Sequence, residues 1–170
     1  MPTPSFSATL MGLGLGLLAT TPTHAETPFS VAQEAAYFLW GPEISADALT
    51  ILQGDITCDG TAETVLQYVP PDTSRLALAV IEEGRNLEEI ANGWFDFGGV
   101  GELSLCGAAK PVEMVLFNTL DQDSVLDLTG YTAPPLCHQT VRLDDGLCDP
   151  LWIFTRRRDD GLLDLVVGRH

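Results

Sequence analysis

Basic side chains are scarce in this chain. Eight Lys and Arg face 24 Asp and Glu over 170 residues, for a formal charge of −16. Phosphate binding needs a basic surface, so nucleic acid is excluded as a partner class. Long hydrophobic runs are missing too. The marked apolar stretch at residues 10–19, LMGLGLGLLA, falls short of the roughly 20 residues that span a bilayer. No Cys-x-x-Cys pair is present, which removes the usual zinc, thioredoxin and haem-attachment patterns. Gly-x-Ser-x-Gly and His-Glu-x-x-His are absent as well, and with them two common hydrolase signatures. Disorder is excluded by composition, because 45% of the residues are hydrophobic and only 19% charged.

What is present begins with an address. The apolar stretch is followed by Thr23-His24-Ala25, with small residues where a signal peptidase reads them. This pattern predicts a secretory signal peptide over residues 1–25 and one mature globular domain over residues 26–170. No cysteine follows the apolar stretch directly, so no lipid anchor is expected. After cleavage the only histidines are His138 and His170.

Cys58, Cys106, Cys137 and Cys148 all lie in the mature part. An even cysteine count in an exported chain reads as two disulfides, with three connectivities open. Pairing of near neighbours gives Cys137–Cys148 and Cys58–Cys106 as the expectation. The expected compartment is the periplasm, with an extracellular location as the alternative. Cys137-His138 does not read as a catalytic pair, because adjacent strand residues point to opposite faces.

Residues 30–40, SVAQEAAYFLW, carry Val31, Ala35, Phe38 and Leu39 at helical spacing. Ser30 with Gln33 makes a capping box, and Gly41-Pro42 ends the run. A second, two-turn helix is expected over 86–92, capped by Asn86. The rest reads as short strands: 62–69, 76–81, 93–97, 102–106, 112–117, 139–143, 151–155 and 162–167. Gly, Pro, Asn and Asp clusters separate them. The predicted fold is mainly β: an antiparallel sandwich or open barrel with one N-terminal amphipathic helix, stapled by disulfides. In 94–97, Trp94 and Asp96 share one face and Phe95 and Phe97 the other. One of these aromatic faces belongs to the core, and an exposed Trp94 would be a partner-binding residue.

Asp-Gly-x-x-acid occurs three times, at Asp59-Gly60, Asp145-Gly146 and Asp160-Gly161. A turn before a strand explains the second and third copies. The first has more. Asp55, Thr57, Asp59, Thr61 and Glu63 place oxygen at alternate positions around Gly60, as a calcium loop requires. An EF-hand does not fit, because the twelfth position from Asp55 is Leu66 rather than a bidentate Glu. At these residues the segment 51–66 resembles the calcium loop of FG-GAP and related VCBS repeat proteins. Their pattern is strand, Gly-Asp-x-Asn-Gly-Asp-Gly-x-x-Asp, strand. The resemblance implies carboxylate ligands from Asp55, Asp59 and Glu63 and a backbone carbonyl from Thr61. Thr57 and Cys58 stand where those families have Asn or Asp, and Gly. The chain is too short for a full propeller of such repeats.

Asp121, Asp123 and Asp127 form a second acidic cluster, which lacks a turning glycine and reads as a solvated loop. Arg156-Arg157-Arg158 reads as local neutralisation of an acidic surface. The functional expectation is an exported acidic binding or accessory protein with a calcium loop and an unidentified, basic protein partner. An inhibitor or chaperone of a basic periplasmic protein is one version. A small secreted hydrolase using carboxylates is the alternative, since spacing in sequence does not give spacing in space.

Overall fold

The computed structural model describes residues 28–70, 74–98, 104–107, 111–118, 122–130, 137 and 139–169. The signal-peptide reading, His138 and His170 fall outside the described residues. Two antiparallel four-stranded meanders make up the fold. The first runs β1 (Leu49–Gly54), β2 (Glu63–Tyr68), β3 (Arg75–Ile81), β4 (Ala91–Asp96). The second runs β5 (Glu113–Asn118), β6 (Gln139–Asp144), β7 (Leu151–Arg157), β8 (Leu163–Gly168). The sheets stack face to face, with β1 against β5 at one edge and β4 against β8 at the other. The architecture is therefore a sandwich, as the strand pattern predicts, and not a closed barrel.

Alternation along the strands builds three apolar layers. Val65, Leu76, Leu78, Val80 and Phe95 of the first sheet meet Met114, Val141, Leu143, Leu151 and Ile153 of the second between the sheets. Helix α1 (Pro28–Trp40) covers the outer face of the first sheet, where Ala32, Ala35 and Ala36 pack with Leu66, Ala79 and Ile81. Small residues on both sides bring helix and sheet close. Every residue of β3 after Arg75 is consequently buried. Helix α2 (Gln122–Thr129) covers part of the other outer face, with Val125 and Leu128 against Phe154 and Val166. The molecule is thus layered helix, sheet, sheet, helix.

Several local expectations need correction. Phe38 is 53% exposed, because the buried stripe of α1 is Ala32, Ala35 and Ala36 with Leu39 partly covered, and Phe38 lies on the other side. Asn86 does cap a helix, accepting from the Glu88 N–H at 2.8 Å. But only one 3₁₀ turn forms (Leu87–Glu89), since Ala91 onward pairs with β3. Asp123 and Asp127 sit on α2 rather than on a loop: Val125 and Leu128, three apart, supply the buried stripe the acidic composition hides. Of the expected strand 102–106, Leu105 makes an isolated bridge to Phe97, and residues 101–103 lie outside the described residues.

The two disulfides are Cys58–Cys137 and Cys106–Cys148, with Cα–Cα distances of 5.3 and 5.6 Å. All four cysteines are paired, but the neighbour pairing Cys137–Cys148 and Cys58–Cys106 is wrong. Each bridge ties a hairpin loop to a segment distant in sequence. Cys58 in the β1–β2 loop reaches Cys137, two residues ahead of β6. Cys148 in the β6–β7 loop reaches the segment ahead of β5.

These loops also reveal the true register of the internal repeat. Asp55 and Asp145 each follow a strand directly, and both open the same spacing: Asp55-x-x-Cys58-Asp59 and Asp145-x-x-Cys148-Asp149. A helix precedes each unit, in the order α1-β1-β2-β3 and α2-β6-β7-β8. The Asp-Gly dipeptides mark only where the turns lie. Gly60, Gly146 and Gly161 all adopt positive φ, the conformation that favours glycine.

Candidate functional site

The β1–β2 loop, residues 55–62, is held from below. Ile56 is 1% exposed and belongs to the core between the sheets. Its carbonyl accepts from the Thr155 hydroxyl on β7. Its N–H and that of Thr57 donate to Glu63 Oε2 at 2.8 and 3.1 Å, and the Thr57 hydroxyl donates to Glu63 Oε1 at 3.0 Å. Above this anchor, Asp55 accepts the N–H groups of Asp59 and Gly60, each at 3.0 Å. Asp59 accepts the Thr61 N–H at 2.8 Å. Cys58 holds φ +58°, the one positive φ outside glycine among the described residues, with its disulfide crossing to Cys137. Cys137 Sγ lies 3.4 Å from the Asp55 carbonyl oxygen.

The result is convergence. Asp55, Asp59 and Glu63 each bring one carboxylate oxygen to within 4.8 Å of the others, the one such group of three or more His, Cys, Asp or Glu side chains among the described residues. Asp59 is exposed and Glu63 buried at 1%. Burial pushes the Glu63 carboxyl up from its ordinary value, against the hydrogen bonds from Thr57 and Ile56 that pull it down. The Thr61 N–H holds the Asp59 carboxyl below its ordinary value. Thr57 stands beside the group through its bond to Glu63, while Thr61 meets it through its backbone.

Pattern reading missed a positive charge at this site. Arg157 of β7 places Nη2 4.0 Å from Asp59 Oδ2 and 2.5 Å from Glu82 Oε1 at the end of β3. Glu82 raises the Arg157 guanidinium above its ordinary value. No local signal marks this contact, which depends on how the two sheets stack. The rest of the arginine run is locally neutralised as expected, Arg156 by Asp164 and Arg158 by Asp160, both at 2.7 Å.

The second repeat unit is a control within the same chain. Asp145 and Asp149 match Asp55 and Asp59, but the first residue of β7 is Leu151 where β2 begins with Glu63. Asp145 is instead consumed by backbone. It is 2% exposed and accepts the N–H groups of Leu147, Cys148 and Cys106 at 2.9, 3.0 and 2.5 Å. Burial pushes its carboxyl up, and the donors from Cys148, Leu147, Cys106 and Gly107 together overcome that and hold it below its ordinary value. The third Asp-Gly copy is a plain turn, in which Asp160 accepts the Leu162 N–H at 3.1 Å.

Trp94 is 41% exposed on the outer face of β4, while Phe95 and Phe97 are buried. Its ring meets Trp40 edge-on at 6.4 Å, and Trp40 stacks on Tyr68 at 5.5 Å. Between Tyr68 and Trp94 in register lies Ala77, fully buried.

No family model, curated protein or solved structure matches this chain. Two disulfides are the mark of a protein from an oxidising compartment. Among the described residues no helix is long and apolar enough to cross a membrane.

Proposed function

We propose that this chain is an exported, acidic binding or accessory domain of the periplasm whose β1–β2 loop takes one structural calcium ion. Asp55, Asp59 and Glu63 are its carboxylate ligands, with Thr57 and Thr61 completing the loop. The observation that carries the reading is the convergence of three carboxylate oxygens within 4.8 Å, one of them from a buried glutamate. Three negative charges so close repel one another. Arg157 offsets part of this at Asp59, and a divalent cation would offset the rest. An all-oxygen donor set suits a hard cation, and a loop with backbone carbonyls and water can reach the six to eight ligands calcium prefers. The resemblance of residues 51–66 to FG-GAP and VCBS calcium loops supports the same choice. With a net charge of −16, the domain would attract a basic protein partner, with Trp94 a contact residue.

Calcium at ten times its dissociation constant stabilises the fold by about 1.4 kcal/mol. The melting temperature then rises by roughly 2–8 °C over that in chelator. Asp59→Ala removes the shift, and Asp145→Ala and Asp160→Ala keep it. A melting curve indifferent to calcium, or an Asp59→Ala response equal to the parent's, would leave the loop an ordinary polar turn.

A further inference from the structure

The exposed aromatic face of the first sheet already holds one cation. Arg75 places its guanidinium carbon 5.2 Å from the centre of the Trp94 ring and its Nε 2.9 Å from Asp96 Oδ1. The side chains of Arg75 and Asp96 are 51% and 55% exposed, so this grouping sits in water. An indole face next to a carboxylate is a complete recognition element for a guanidinium, which stacks on the ring and hydrogen-bonds the acid in one plane. Trp40 meets the Trp94 ring edge-on and itself stacks on Tyr68. Tyr37 and Phe38 on α1 are 40% and 53% exposed, and Glu34 and Glu43 are exposed as well.

We infer that the Trp94–Asp96 face binds an arginine side chain presented by a basic segment of a partner protein, and that Arg75 occupies this place in cis until the partner displaces it. The inference deepens the reading of the chain as a binding domain for a basic partner and rests on it, but not on calcium. A diffuse acidic surface attracts lysine and arginine alike. A place that sets an indole face beside a carboxylate prefers arginine, because the ammonium of lysine is a compact point charge. The Arg75–Asp96 pair is exposed, which keeps this ion pair weak.

The test uses the oxidised, full domain and two peptides of equal length, alternating Arg-Gly and alternating Lys-Gly. Binding is followed by titration calorimetry and tryptophan fluorescence at physiological salt. The Arg peptide should bind about fivefold more tightly than the Lys peptide. Trp94→Ala and Asp96→Asn should each erase that preference, the latter leaving the aromatic packing in place. Arg75→Gln should strengthen binding of the Arg peptide beyond the gain from Arg158→Gln, which removes the same charge elsewhere. Equal binding of both peptides, unchanged in Trp94→Ala, overturns the site and leaves the attraction to basic partners standing. Failure of both peptides to bind overturns the site and that attraction together.

Discussion

Asp145 Oδ2 accepts the backbone N–H of Cys106 at 2.5 Å, and the disulfide from Cys106 returns to Cys148 on the loop that Asp145 opens. One carboxylate and one covalent bond therefore hold the same two segments together. Asp145 acts as a buried clasp, while its counterpart Asp55 faces the carboxylates of Asp59 and Glu63.

Asp145→Asn keeps the shape of this clasp and removes its charge. One amide end then presents hydrogens to backbone donors. A cost of about 1.5–3 kcal/mol is expected in urea unfolding at neutral pH. The folded carboxyl lies below the ordinary 3.8, so its contribution is present above that value and is lost as pH falls through the folded value. The gap between parent and variant should narrow on acidification below pH 3.8. A constant gap would show that charge is not what holds the clasp.

Glu63 has the opposite sign. Its folded value is raised above the ordinary 4.5, so its favourable contribution is complete below 4.5 and is lost as pH rises through the folded value. In chelator, Glu63→Gln should be at least as stable as the parent at neutral pH. A glutamine oxygen can still accept from Ile56 and Thr57, and its amide can donate to the Thr57 hydroxyl. In calcium the order should reverse, since the variant lacks a ligand charge. Melting temperatures of the two proteins in both conditions decide it. A variant less stable than the parent in chelator would show that ionised Glu63 is paid for by its three hydrogen bonds alone.

The two bridges enclose spans of 79 and 42 residues. Chain-entropy reasoning assigns about 4.5 kcal/mol to Cys58–Cys137 and about 4 kcal/mol to Cys106–Cys148. Replacing either pair by serine should lower the urea midpoint strongly, slightly more for the first. Peptide mapping without reduction should link Cys58 to Cys137. A peptide joining Cys137 to Cys148 would contradict this pairing.

Much of the fold was legible because burial follows strand periodicity. Leu76, Leu78 and Val80 alternate with Ala79 and Ile81, and the two sets enter different apolar layers. Helix α1 was legible from its apolar spacing and its stop at Gly41-Pro42, but neither its start nor its facing was: it begins at Pro28, so Ser30 lies inside the helix rather than at its cap. The alanine stripe is a weak signal beside Phe38, and only the Ala79 surface beneath it explains why small residues face inward. Helix α2 was hidden by its aspartates, because its stabilisation comes from Val125 and Leu128 finding Phe154 and Val166.

The candidate loop was legible as a set of residues and not as a site. Alternating oxygens around Gly60 singled out Asp55, Asp59 and Glu63, which do come together. The Asp-Gly dipeptides do not mark equivalent positions, because Asp-Gly is common to turns of every kind, whereas Asp-x-x-Cys-Asp marks the equivalent loops.

Local chemistry in the chain determined the strands, the turns at positive-φ glycines, a net charge of −16 and the presence of paired cysteines. These depend on side-chain period, backbone sterics and net charge, all of which are local or additive. Tertiary structure decided which cysteines pair, that Arg157 stands beside Asp59, and that Asp145 is a clasp while Glu63 is a buried acid. Each of these requires two segments far apart in sequence to meet, and their meeting is set by how two meanders stack through a shared apolar layer.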